Sequence, residues 1–276
     1  MMVGQPGFEP GTSVLSSSIL AEYLDELALK GRSSTYISHV RRCLDKYVQQ
    51  YTELTHVSAR AFLRQYSHLS ASTRASYTIY VRGLFKHFGL PFDLSVRIPR
   101  RLPPHVASSD IERLAYSISH KVTHKQSSVR DMVLLETAIN TGLRRSELAN
   151  LKVRDIDFDS QRLKVVNGKG GRDRVIPLRP AIRDSLARLC IGKLQSDTVF
   201  GLRPKTVSAK VRYWAKKAGV DIHAHSFRHY FATTLVDKGA NIRAVQELLG
   251  HESLATTEKY LAVSAKHLEE TIKLLG

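Results

Sequence analysis

This sequence predicts a mainly α-helical protein with a small three-stranded antiparallel sheet, arranged as two domains. Three observations carry that expectation. Apolar residues recur at helical spacing through most of the chain, and the period switches to two only between Val153 and Leu178. The stretch from Leu90 to Pro104 holds four prolines and three arginines and has no periodicity at all. With 276 residues, 42% of them hydrophobic, the chain is long enough for two buried cores.

Residues 1–13, with Gly4, Pro6, Gly7, Pro10 and Gly11, read as a flexible leader. A helical domain over 14–90 follows. Its first helix carries Ile19, Leu20, Tyr23, Leu24 and Leu27 at helix spacing and stops at Gly31. Ser33 or Ser34 caps a second helix bearing Tyr36, Ile37, Val40, Leu44 and Tyr47, with Arg41 and Arg42 on its other face. A third spans about 57–67, and a fourth runs from Ser72 to about Phe88, with Arg74 and Arg82 opposite its apolar side. Proline fixes φ and removes a donor, so 91–104 is expected to be an extended linker carrying Arg97, Arg100 and Arg101.

The second domain, 105–276, opens on Ser109-Asp110-Ile111-Glu112, a capping-box pattern leading a helix to about Ser119. A helix over Val129–Asn140 and a turn into a short helix at 141–148, capped by Ser146, come next. Strands are expected at Ile156–Phe158, Leu163–Val166 and Arg174–Pro177, with Gly168-Lys169-Gly170-Gly171 as the tight connection between the last two. Helices return at Ala181–Leu189, Lys205–Ala218, through much of His225–Tyr260, and at Ala262–Leu275.

Lys and Arg number 42 against 25 Asp and Glu, a formal charge of +17. Before Pro103 the balance is 13 basic to 7 acidic, and after it 29 to 18, so both halves are basic. A surplus spread this way favours double-stranded nucleic acid gripped from two sides, through release of its counterions. Cys43 and Cys190, too few and too far apart for a disulfide framework or zinc motif, read as small core residues in a reducing compartment. No apolar run approaches the length of a membrane span and no signal peptide follows Met1, so a cytoplasmic protein without a membrane partner is expected.

The chemistry-bearing residues concentrate in His225–Tyr260. His225 and Arg228 lie one turn apart on a shared helix face, His251 follows a Leu-Leu-Gly helix ending, and Tyr260 comes nine residues later. Cationic donors of this kind neutralise a phosphate, and a nearby phenol can attack it. His225 and His229, four apart, resemble a zinc pair, but Ser226 stands where the metalloprotease pattern needs glutamate, so no metal is expected.

Five strings, in order, resemble the boxes of the tyrosine recombinase or phage integrase family. They are Thr141-Gly-Leu-Arg-Arg-Ser-Glu-Leu148, Gly168-Lys-Gly170, His225-Ser-Phe-Arg228, Leu248-Leu-Gly-His251 and Tyr260. The likeness covers about Pro104 to Gly276, and the first half is similar to the family's SAM-like core-binding domain. The resemblance implies catalytic roles for Arg144, Lys169, His225, Arg228, His251 and Tyr260. Arg144 and Arg228 would bind the non-bridging oxygens of the scissile phosphate, Lys169 would protonate the leaving 5′-oxygen, and His225 would serve as base. His251 would donate to a phosphate oxygen and Tyr260 would be the nucleophile. Arg145 reads as a solvent or backbone contact, His229 as a buried residue bonding backbone, and Glu147 as a buried acceptor orienting the arginines. Because a phosphotyrosine stores the phosphodiester energy, no cofactor is implied. One departure is Ala224, where many relatives have proline.

The expected function is DNA integration and excision for a mobile element, by a tetramer on two sites acting through a Holliday junction. Its rivals are a Xer-like dimer resolvase, a type IB topoisomerase-like relaxing enzyme and an inactive DNA-binding regulator on the same fold.

Overall fold

The computed structural model describes residues 16–99, 106–120, 125–166 and 173–250. The expected leader, Arg100, Arg101, Lys169, His251, Tyr260 and the last helix lie outside these residues. The chain divides into two compact units, Met1–Arg101 and Leu102–Gly276.

Four helices build the first unit: α1 (Ser17–Leu29), α2 (Ser34–Gln50), α3 (His56–Gln65) and α4 (Ala71–His87). Each starts where a hydroxyl can satisfy an otherwise orphaned N–H. Ser16, Ser33, Thr55 and Ser70 accept from Ile19, Tyr36, Ser58 and Thr73 at 3.1–3.4 Å. The helices close over Leu24, Val40, Leu44, Tyr47, Phe62, Val81, Leu84 and Phe85. Tyr47 is buried whole because its hydroxyl bonds Ser58 Oγ at 2.6 Å, which removes the cost of an unpaired phenol.

Two expectations for α4 need correction. Arg82 does not simply face outward, since it is half-buried and donates to the carbonyl of Leu94. Arg74 is half-buried too, its Nε enclosed and without a hydrogen-bond partner among the described residues. Arg41, Arg42 and Arg97 are exposed. Residues 91–99 have no regular structure, yet Phe92 is buried against Phe85 with ring centroids 4.6 Å apart. The start of the expected linker is therefore held by the first core, because an aromatic ring gains more from burial than from an extended path in water.

The second unit contains α5 (Ser108–Ser119), α6 (Lys125–Thr141), α7 (Arg145–Asn150), a 3₁₀ turn (Val153–Asp155), β1 (Ile156–Asp157), β2 (Arg162–Val165), β3 (Arg174–Pro177), α8 (Pro180–Cys190), α9 (Pro204–Ala218), α10 (Ser226–Asp237) and α11 (Ile242–Leu249). The strands form one antiparallel sheet in the order β1-β2-β3. Leu163 pairs with both Ile156 and Ile176, so all three strands present an aliphatic residue to one core face. The capping box expected at Ser109 is absent: α5 begins at Ser108, and Ala107 at its N-cap makes no side-chain bond. Cys43 and Cys190 are buried, as read from the sequence. Among the described residues no helix is long and apolar enough to cross a membrane.

A smaller core of Phe231, Ala232, Val236, Val245 and Leu249 packs α10 on α11. It meets α6 at Gly142, which has φ +62° and N–H bonded to the Ala138 carbonyl. A Cβ there would sit 2.5 Å from Phe231 Cδ1 and 3.0 Å from Leu249 Cδ2. Only glycine meets both demands. Gly142→Ala is expected to cost about 1–3 kcal/mol and to lower the melting temperature in a thermal unfolding scan; an unchanged melt would show that the turn relaxes freely.

Candidate active site

Of the six residues implied as catalytic, three are described: Arg144, His225 and Arg228. The fold brings them together at one place, the C-terminal end of α11. A helix leaves its last carbonyls without internal partners, and its dipole makes that end negative. Here three arginines supply the missing donors. Arg174 Nε donates to the carbonyl of Leu248 at 2.8 Å, Arg228 Nη2 to that of Leu249, and Arg144 Nη2 to that of Gly250 at 3.3 Å. The guanidinium groups of Arg144 and Arg228 are thus anchored on the carbonyls of consecutive residues, Gly250 and Leu249.

Arg228 is the largest fully buried side chain, 1% exposed. Its second anchor is the Gly142 carbonyl, 2.8 Å from Nη1. A guanidinium cannot shed its charge, so burial is tolerable only where fixed dipoles replace water, and two carbonyls do so here. Arg144 is more open, with a side chain 22% exposed.

Glu147 is the hub of the site. Its Oε2 accepts from the Arg144 backbone N–H at 2.7 Å and its Oε1 from Arg144 Nη1 at 2.8 Å. The same oxygens accept from Arg174, Oε1 from Nη1 at 3.1 Å and Oε2 from Nη2 at 2.7 Å. Burial alone would push this carboxyl up, but the bonds from Arg174 and Arg144 outweigh it and hold it at about 2. The sequence expectation that Glu147 orients arginines is met for Arg144. Its second partner is Arg174 rather than Arg228, which the two carbonyls hold instead. Ser146 is not the cap of α7: Arg144 occupies the N-cap position and Glu147 supplies the accepting group.

His225 stands at the N-cap of α10, exposed on one side and edge-on to His229, with ring centroids 4.6 Å apart. Partial desolvation, then the charges of Arg228 and Arg144, lower its pKa below the ordinary 6.5. The imidazole is therefore neutral at pH 7. The turn before it is tied by Ser226, whose Oγ accepts from the His223 N–H at 3.0 Å, and Ala224 lies in the main core. His229 is half-buried rather than buried. Arg145 is exposed to solvent, one of the two contacts expected of it, and its Nη1 also donates to Ser208 Oγ at 3.0 Å on α9.

Arg174 was not singled out by the motifs. A signal for it exists in the strand alternation: Arg174 shares a face with Ile176, which is 1% exposed. A charge on the core side of a strand implies a buried partner. Among the described residues no group of three or more His, Cys, Asp or Glu side chains has a metal-binding arrangement.

The phage integrase family profile matches residues 106–267. The chain belongs to this family. A "Tyrosine recombinase XerA" of Pyrococcus horikoshii is 33% identical over 94% of both chains, and that of Pyrococcus furiosus is 34% identical over the same shares. Among solved structures, the XerH site-specific recombinase bound to its difH substrate has a TM-score of 0.71 at 24% identity, covering 95% of this chain and 85% of its own. A lambda integrase dimer bound to a COC′ core site gives 0.72 at 17% identity, with 90% and 95% covered. At such identities the structural likeness establishes the fold.

The depressed carboxyl of Glu147 makes stability depend on acid. Its ordinary pKa is 4.5 and its folded value about 2, so the stabilisation is complete above about pH 4.5 and fades as pH falls toward 2. Glu147→Gln is expected to lower unfolding free energy at pH 7 by about 3 kcal/mol and to flatten its decline between pH 4.5 and 2. Denaturant titrations across that range check both; parallel curves for the two proteins would contradict the hub.

Proposed function

We propose that this enzyme is a site-specific DNA recombinase that cuts and rejoins strands through a 3′-phosphotyrosine on Tyr260. The observation that carries the reading is the pair Arg144 and Arg228 on consecutive carbonyls at the end of α11, beside a histidine whose pKa is lowered by partial burial and then by their charge. Two permanent, preorganised cations seated on consecutive carbonyls suit a phosphodiester, whose two non-bridging oxygens share one negative charge. They suit its pentacoordinate transition state, which carries more, better still.

In the proposed reaction the Tyr260 oxygen attacks the scissile phosphorus, and the bond from phosphorus to the 5′-oxygen breaks. The phenolic proton passes to neutral His225, while Lys169 gives a proton to the departing 5′-oxygen. Arg144 and Arg228 hold the non-bridging oxygens, with His251 as a further donor. A 5′-hydroxyl of the partner strand then attacks the phosphotyrosine and the proton transfers run in reverse. One phosphodiester replaces another, so the exchange is close to thermoneutral.

The N-terminal unit is proposed as the core-binding domain, with the second unit as the catalytic domain on the same duplex. Arg41, Arg42, Arg74, Arg82, Arg97, Arg100 and Arg101 are proposed DNA contacts; the exposure of Arg41, Arg42 and Arg97 supports them most directly. Four protomers on two sites would exchange strands in pairs through a Holliday junction, integrating and excising a mobile element. A Xer-like resolvase is the second reading, favoured by the names of the full-length relatives. Recovered junctions separate the two readings: integration joins two unlike sites, and resolution acts on two copies of one site.

Incubation with a random pool of nicked duplexes should leave protein–DNA adducts that survive denaturation and whose sequences define the site. Tyr260→Phe should abolish the adduct while retaining duplex binding. Arg144→Ala and Arg228→Ala should each slow adduct formation by at least about 10²-fold. An adduct formed by the Phe variant would remove Tyr260 from its role, and wild-type rates for both Ala variants would remove the clamp.

If His225 takes the phenolic proton, the cleavage rate should stay level from about pH 7 to 6.5 and fall only below it, because protonation sets in below the ordinary imidazole value. A rate that rises as pH falls through this range would assign His225 to an acid role instead.

A further inference from the structure

We infer that Arg174 is a positioning residue for strand cleavage, setting the register of Arg144; this rests on the proposed cleavage chemistry. Of the two side-chain anchors of Arg144, Arg174 bonds the first and packs beside the residue that carries the second. The first is the Glu147 carboxylate. Each of its oxygens carries one bond from Arg144 and one from Arg174, at 2.7–3.1 Å, so the plane of the carboxylate is set by the Arg174 fork. The second is the Gly250 carbonyl, which takes Arg144 Nη2. Arg174 lies against that residue so closely that a Cβ on Gly250 would stand 3.1 Å from Arg174 Cδ.

The third bond of Arg174, Nε to the Leu248 carbonyl at 2.8 Å, ties the carboxylate to the end of α11. One side chain, 8% exposed, thus fastens three segments: α7 through Glu147, α11 through Leu248, and β3 from which it springs. Only a planar fork can span a carboxylate edge-on with two nitrogens while the third reaches a carbonyl. Lysine carries the same charge but is a single point of donation. Without the fork the carboxylate can rotate, and Arg144 follows it. A displacement of about 1 Å at a catalytic group lowers rates by about 10²-fold.

A purely stabilising ion pair and a positioning role differ in what they do to chemistry on an uncharged phosphate. The duplex recovered from adduct sequencing is prepared in two forms, one normal and one whose scissile phosphate carries a methyl group in place of a non-bridging oxygen. The second is neutral before attack and carries one negative charge fewer in the transition state, so it asks less of Arg144. Single-turnover cleavage by full-length Arg174→Lys and Arg174→Ala should fall about 10²-fold on the normal duplex and less than about 10-fold on the methylated one. Duplex affinity should change less than about threefold, since a displaced Arg144 still attracts the backbone.

Equal losses on both duplexes, or a wild-type rate for the Lys variant, would overturn the proposal. Thermal melts accompany each variant, and failure of both to fold would assign Arg174 to stability alone and overturn it as well. The Lys variant keeps the charge and most of the volume, so it carries the test if the Ala variant unfolds. Absence of any adduct with the wild-type protein would count against the proposed function instead, which separates the two failures.

Discussion

The unmet hydrogen-bonding need at the end of one short helix organises the candidate site of the second unit. α11 stops at Gly250, in the left-handed region at φ +62°, and leaves three carbonyls pointing out of its last turn. Each takes a different arginine: Leu248 takes Arg174, Leu249 takes Arg228 and Gly250 takes Arg144. The arrangement serves both sides at once. Orphaned acceptors and a negative helix end gain donors and positive charge, and the guanidinium groups gain fixed dipoles in place of water. Glu147 then neutralises one charge of the cluster, leaving it net positive and still able to attract an anion.

That balance also sets the state of His225. Next to two cations and partly removed from water, the imidazole holds its proton less tightly than in solution, so its neutral form dominates at pH 7. A site built only to hold phosphate would gain from a third cation. One that must also accept a proton from a phenol needs a neutral base within reach of its cations, and partial burial of His225, reinforced by the two arginines, favours that form.

Much of this was legible in the sequence. Helix periodicity located α1 to α4, with a hydroxyl cap read for α2, and the switch to a period of two located the sheet, because both signals are local. The boxes around Arg144 and His225 marked the site for a similar reason, since each is a short run whose spacing survives in one element. What the sequence hid was the non-local part. Arg82 bonds a carbonyl twelve residues on, in a segment that reads as free linker. The partners of Arg228 are backbone carbonyls at Gly142 and Leu249, which have no side-chain signature. Arg174 sits in a strand where only the alternation of faces betrays it. Ser146 misled because hydroxyls usually cap helices, whereas here a carboxylate three residues inside α7 reached back to do so.

Arg228 has a further consequence, for the life of the chain before it is complete. Its two anchors are contributed by residues 142 and 249, one far upstream and the other 21 positions downstream. A nascent chain emerging from the ribosome displays a basic N-terminal half long before Leu249 is synthesised. Until then Arg228 lacks half of its seat, and the end of α11 that seats Arg144 does not exist. The order of synthesis therefore keeps an unfinished chain from assembling the cation pair while the basic N-terminal half is already present. A product truncated ahead of α11 lacks the carbonyls that seat both Arg144 and Arg228.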